Sequence, residues 1–225
     1  MFIRFFKCLL VVCATLLFVS CSATRPKTAD EGPVSQVPLK QDAEYPHSLV
    51  YKKNGVDFKK YTKFMIEPVA IYKGKDAQFK NVSESDRQMI ADLLYSEHVR
   101  QLKNGYEVVN QAGPNVLRIK FTLAGIQMTQ TTLATITHLA PVGIVMNLGR
   151  SASGMTGSFT GTVTYAGELH DGETGELVAS FLTKRGPLAI DITKSFKGID
   201  AAKQAVKDCA ERFKEIVDKI QGKKD

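Results

Sequence analysis

The chain of 225 residues is 44% hydrophobic and 24% charged, with 30 Lys and Arg against 23 Asp and Glu and a formal net charge of +7. That is one domain's worth of apolar material, and with three of the four cysteines in the first 21 residues it excludes a core built on internal disulfides. The mild basic surplus fits either anionic partners, such as lipid headgroups or cell-wall polymer, or a lysine-rich solvated surface.

The first residues, "MFIRFFK", carry Arg4 and Lys7 ahead of the apolar run "CLLVVCATLLFVS". A basic start followed by a short apolar stretch reads as a secretion signal over residues 1–20. The run is too short for a confident membrane-spanning helix, which needs about 20 apolar residues. "FVSC", ending at Cys21, resembles the lipobox of bacterial lipoproteins, with Phe18 departing from the usual Leu. The resemblance implies that Cys21 carries a diacylglycerol on its sulfur and a further acyl chain on its freed amine, palmitate among them. Two or more chains, at about 0.8 kcal/mol per buried methylene, anchor a protein stably. Ser22 stands where an Asp would resemble an inner-membrane retention signal, so the expected address is the outer membrane, facing the periplasm. Nucleic acid is not an expected partner there. Loss of Arg4 and Lys7 with the signal lowers the net charge from +7 to +5.

Residues 21–48 hold Pro26, Pro33, Pro38 and Pro46 among scattered charges, without an apolar period, and read as a lipidated flexible tether. Residues 49–225 then read as a single domain. "KFMIEPVAIY" supplies Phe64, Ile66, Val69 and Ile71 as a strand, with Pro68 marking an edge or a bulge. "SESDRQMIADLLYSEHVRQLKNG" reads as a helix capped by Ser83 with Asp86 at the capping-box position. Its apolar stripe is Met89, Ile90, Leu93, Leu94 and Leu102, ending at Asn104-Gly105. "YEVV" and "NVLRIKFTLAGIQM" follow as strands, the second alternating Leu117, Ile119, Phe121 and Leu123 with Arg118, Lys120 and Thr122. "FTGTVTYAGELH" places Phe159, Val163, Tyr165 and Leu169 on one side, and "DGETGE" turns it back through "LVASFLT" as a hairpin. A final helix from about Ile199 to Ile220 sets Ile199, Ala202, Val206, Cys209, Phe213, Ile216 and Ile220 in one stripe, which makes Cys209 a buried, inert thiol. The fold class expected from this order is α+β, a largely antiparallel sheet with two main helices packed on one face.

Taken together, "VDFKKYTKFMIEPVAIY", "VLRIKFTLAGI" and "DGETGELVASF" resemble bacterial lipoproteins of the domain of unknown function 3313 family, over about residues 49 to 220. The resemblance implies a small periplasmic lipoprotein domain and brings no catalytic residue with it. The arrangement is similar, more distantly, to accessory lipoproteins of cell-envelope assembly machines, an analogy of fold that does not determine function.

The residues for chemistry are sparse. His47, His98, His138 and His170 show no metal-ligand spacing, so no metal and no cofactor is expected. His170 beside Asp171 is the best pair, although Asp-Gly-Glu-Thr-Gly is explained by turn chemistry alone. "GRSASGMTG" lacks the Lys-Ser/Thr ending of a phosphate loop. An apolar stretch remains inside residues 132–157, in a connection far longer than the ordinary hairpin loop of about 2 to 5 residues. Its Leu139, Val142, Ile144, Val145, Met146 and Leu148 form a candidate interaction loop. They fit a cover over one end of the sheet, an exposed patch for an envelope protein or a second copy, or a shallow membrane contact. The function expected is therefore a non-catalytic binding or accessory module of cell-envelope assembly or transport. Two alternatives stay open: an envelope hydrolase working through His170 or His138, and a carrier of a small apolar ligand in a cavity lined by Phe121, Phe159 and Phe213.

Overall fold

A computed structural model describes residues 33–35, 37–45, 47–128, 161–186 and 199–223. In chain order it contains β1 (Lys40–Gln41), β2 (Ser48–Lys52), a 3-10 turn (Phe58–Lys60), β3 (Lys63–Ile66) and β4 (Ala70–Ile71). There follow α1 (Glu84–Lys103), β5 (Glu107–Val108), β6 (Val116–Gln127), β7 (Thr162–Asp171), β8 (Leu177–Arg185) and α2 (Asp200–Gln221). The strands make one sheet in the order β1-β2-β8-β7-β6-β3-β5, with β4 on β6 beyond the end of β3. Cys21, His138, Phe159 and the apolar stretch with Leu139, Val142, Ile144, Val145, Met146 and Leu148 lie outside the described residues.

The class is α+β, as the sequence pattern predicts, with two helices among the described residues, but the sheet is mixed rather than largely antiparallel. Pairs from β1 through β2, β8 and β7 to β6 are antiparallel, whereas β3 and β4 run parallel to β6 and β5 runs parallel to β3. The reason is α1. A chain that leaves β3, crosses a 20-residue helix and re-enters beside β3 arrives in the same direction, while the tight turn between β7 and β8 returns the chain antiparallel. Pro68 interrupts the predicted strand between β3 and β4, where its missing N–H cannot extend the ladder.

The folded part also reaches into the segment that composition assigns to the tether. Lys40 and Gln41 pair with Val50 and Leu49, and the Ser35 N–H donates to Glu168 Oε1 at 2.6 Å. An edge strand of two residues needs few apolar side chains, so it leaves no periodic trace among the prolines.

Local signals account for α1. Ser83 Oγ accepts from the Asp86 N–H at 3.1 Å and bonds the Asp86 carboxylate at 2.7 Å, and Asn104 ends the helix ahead of Gly105 at φ +132°. Ile90, Leu94 and Leu102 are buried, but Met89 is exposed and its expected place in the stripe is taken by Ala91 and His98. The His98 ring lies 4.4 Å from Phe121 on β6 and 5.5 Å from Phe213 on α2, so both helices share one face of the sheet and meet over it.

The hairpin turn is fixed by Asp171. Its carboxylate accepts from Lys60 Nζ at 2.7 Å, from Tyr61 OH at 2.9 Å and from the N–H groups of Glu173 and Thr174 at 3.0 Å each. The Lys60 ammonium, then the Thr174 N–H, hold this carboxyl well below the usual range. On the helix face of β7, Gly167 pairs with Phe181 of β8, and a Cβ at 167 would fall within the Phe181 ring. Gly167→Ala is therefore expected to displace Phe181 and destabilise the fold by about 2 kcal/mol, the usual cost of overpacking, as read by urea unfolding. A midpoint equal to that of the parent would show that the ring moves freely.

Candidate functional site

The apolar stripe of α2 does not stay in the core along its whole length. Ala201, Ala202, Ala205, Val206, Cys209, Phe213 and Val217 are buried, whereas Ile216 and Ile220 are only partly so. Ile216, Val217 and Ile220 form a wide apolar arc, and Val217 takes the core position. Ile216 and Ile220 then face a cleft of about 460 Å³ between the C-terminal half of α2 and the β8-β2 side of the sheet. Phe181 and Val50, half-buried, form its floor, with Tyr165 and Phe213 at the inner wall. The volume falls in the range of about 300 to 1,000 Å³ typical of small-molecule sites.

The mouth is polar. The turn between β1 and β2 brings Tyr45 against α2, with Arg185 5.9 Å and Arg212 5.5 Å from the centre of its ring. Glu44 of the same turn takes two bonds from Lys219 Nζ at 3.0 Å. Arg212 faces Glu215 at 3.4 Å, but among the described residues Arg185 has no carboxylate partner. Within the wall lies Cys209, the one free thiol among the described residues, which burial pushes up to about 12. It is a poor nucleophile at neutral pH, in line with its place in the helix stripe.

His170 and Asp171 do not form a pair. As neighbours on β7 they project to opposite faces, Asp171 to the Lys60-Tyr61 cluster and His170 to the face away from the helices. There His170 Nε2 lies 3.5 Å from Glu168 Oε2, and its Nδ1 is 3.1 Å from the Gly175 carbonyl. Burial raises the Glu168 carboxyl, but the Ser35 N–H, His170 and Lys120 outweigh that and hold it below its ordinary value. So His170 does meet a carboxylate, but on the side of the sheet opposite the cleft. Of the residues expected to line an apolar cavity, Phe213 does so, while Phe121 is 1% exposed and stays in the core. No group of three or more His, Cys, Asp or Glu converges as a metal site among the described residues, and no helix there is long and apolar enough to cross a membrane.

The DUF3313 family, described as "Protein of unknown function", matches residues 30–213. The chain belongs to the DUF3313 family. The match takes in β1, the sheet side of the cleft and α2 as far as Phe213, short of Ile216 and Ile220, and extends the likeness read from "VDFKKYTKFMIEPVAIY" and "DGETGELVASF" toward the N-terminus. This DUF3313 chain has no match among curated proteins. Among solved structures it is similar to the PelC dodecamer of Paraburkholderia phytofirmans in space group P6, at 9% identity and a TM-score of 0.37, covering 72% of this chain and 96% of that one. A PelC point variant from the same organism in space group C2 gives 12% identity and a TM-score of 0.33, covering 71% and 97%. Likenesses at this level do not bear on the assembly of the DUF3313 chain.

Sequence reasoning missed most of the cleft. From the sequence alone Tyr45 falls in the tether, Arg185 lies beyond the "LVASFLT" strand, and Ile216 and Ile220 read as core. The one available signal was Val217, whose presence between two isoleucines makes the arc wider than a single buried stripe requires.

His98 is the other group without an evident sequence signal. Fully buried, it donates from Nδ1 to the Leu94 carbonyl at 2.8 Å, which leaves Nε2 as a bare lone pair without a partner. Burial lowers its pKa to about 4, only partly offset by the Leu94 bond. Above pH ~6.5 the ring is neutral in both folded and unfolded chains, and no stability is lost. Between ~6.5 and about 4 the unfolded chain takes up a proton that the folded chain refuses, so stability falls by about 3 kcal/mol across that window. His47, half-buried and also lowered by burial, adds loss of the same sign. His98→Phe should remove most of the decline seen by urea unfolding at pH 7, 5.5 and 4.5; an identical slope in parent and variant would refute this account of His98.

Proposed function

We propose that this protein is an outer-membrane lipoprotein, held by lipid on Cys21 and facing the periplasm, that works as a non-catalytic binding module in cell-envelope assembly or transport. The observation that carries the reading is the cleft under α2. It offers partly exposed apolar side chains and a guanidinium with no ion pair among the described residues, which suit recognition. Among the described residues, the groups suited to chemistry are engaged elsewhere or inert: Asp171 in the hairpin turn, His170 on the opposite side of the sheet, and Cys209 in the cleft wall as a buried neutral thiol.

Anchoring rests on the sequence, in the basic start, the short apolar run and "FVSC". It also fits the placement of the N-terminal segment. Since Ser35 is bonded to Glu168, the chain from Cys21 to Ser35 can extend at most about 50 Å, which keeps the domain close to its membrane. The segment then rounds the β1 edge and delivers Tyr45 to the mouth of the cleft. Anchor and binding site are thus joined by one short stretch of chain.

The test is fractionation with metabolic labelling. The parent chain should incorporate labelled palmitate and sediment with outer membranes, and Cys21→Ser should lose the label and accumulate in its unprocessed form. Equal processing and distribution of parent and variant would remove Cys21 as the anchor. Capture of envelope proteins by the parent should then fall in a Phe181→Ala variant that keeps its fold by circular dichroism; unchanged capture would count against the cleft as the binding element.

A further inference from the structure

We propose that the cleft binds a single acyl chain with an anionic head group, the chain lying against Phe181, Ile216 and Ile220 and the head at Arg185. This rests on the reading above that the cleft is a binding element, and it names the ligand class. The shape argues for a linear chain. The cleft follows α2 from Asp208 to Gln221, about 20 Å at 1.5 Å per residue, as a slot between a helix and a sheet. Its walls are mostly aliphatic and aromatic, and water in such a slot finds few partners, whereas methylene groups find contacts along its length.

The charge argues for the head. Two guanidinium groups flank the Tyr45 ring at one end of the cleft, beside Cys209. Carboxylates are also near: Asp208, Glu211 and Glu215 on α2, and Asp42 and Glu44 on the β1-β2 turn. Glu215 is engaged by Arg212, Glu44 by Lys219, and Asp208 by the Gln204 amide at 2.8 Å. Arg185 alone of the two guanidiniums has no ion pair among the described residues, and its planar fork suits a carboxylate or a phosphodiester. A free fatty acid and a lysophospholipid share that chemistry.

The experiment uses the chain from Ser22 onward, which retains every described residue and has no lipid of its own. Palmitate, palmitoyl lysophosphatidylglycerol and hexadecanol are titrated in turn by calorimetry below their micellar concentrations. Saturable binding of palmitate or of the lysophospholipid at one per chain is expected, and which of the two is tighter identifies the source of the head. Ile216→Trp, at a partly exposed position, should fill the slot and weaken binding by at least about tenfold. Arg185→Gln should weaken both anionic ligands by about tenfold and change hexadecanol less than twofold.

Absence of saturable binding by either anionic probe overturns the proposal, as does binding that ignores Ile216→Trp. Equal losses for palmitate and hexadecanol in Arg185→Gln overturn the assignment of the head. A chain that sediments with outer membranes yet takes no palmitate leaves the anchored binding reading standing without this ligand. A chain that binds palmitate but is not lipidated at Cys21 leaves the site standing without the anchor.

Discussion

A sheet whose main path runs through seven strands is about 29 Å wide, at about 4.8 Å between neighbours, and the two helices among the described residues, about 10 Å each, cover only two thirds of it. Everything about the candidate site follows from that mismatch and from which side of the sheet is left uncovered. The connections decide the side. α1 joins β4 to β5 and lies over the parallel half. α2 packs against α1 through the His98, Phe121 and Phe213 rings and so is drawn toward β7. The β8-β2-β1 side has no helix of its own among the described residues, and the cleft is the space beneath the overhanging edge of α2.

The composition of α2 is graded to match. Its first half is alanine-rich, with Ala201, Ala202, Ala205 and Ala210 all at 0% exposure, and small side chains let a helix seat closely. Its second half carries Phe213, Ile216 and Ile220, which stand between helix and sheet where the closeness ends. Gly167 cooperates from below, because the missing Cβ lets the Phe181 ring lie over β7 as the floor of the cleft. The arrangement costs some burial at Phe181, Ile216 and Ile220 that a third helix would recover, at roughly 25 cal/mol per Å² of apolar surface.

What was legible in the sequence was local. Ser83 with Asp86, the alternation from Leu117 to Leu123 and the Asp171-Gly172 turn each act within a few residues, so α1, β6 and the β7-β8 hairpin could be read directly. The direction of β3 could not, because it depends on where the chain re-enters after α1. Lys40 and Gln41 form a strand only because β2 lies beside them, and β2 itself mixes Tyr51 and Lys52 with Leu49 and Val50 in a run too short to show a period. His98 reads from the sequence as one more polar helix residue. Its place among three aromatic rings is set by β6, β7 and α2, elements far from it in the chain. The same holds for Ile216 against Val217: both are apolar, and only what stands opposite decides which is core and which is wall.

The distribution of reactive groups points the same way as the geometry. A general base must reach its proton within about 3 Å in a plausible pose, and a nucleophile needs an activating neighbour. Cys209 has the position, in the wall of the cleft, but Tyr165 and apolar side chains surround it and its thiol stays protonated. His170 has a carboxylate neighbour but faces away. Asp171 is ionised yet fully occupied by Lys60, Tyr61 and two backbone N–H groups, so its charge holds the hairpin to the 3-10 turn. What the cleft itself presents is shape, apolar surface and the Arg185 charge. Those properties discriminate between ligands by fit and by sign, as the binding role proposed for the cleft requires.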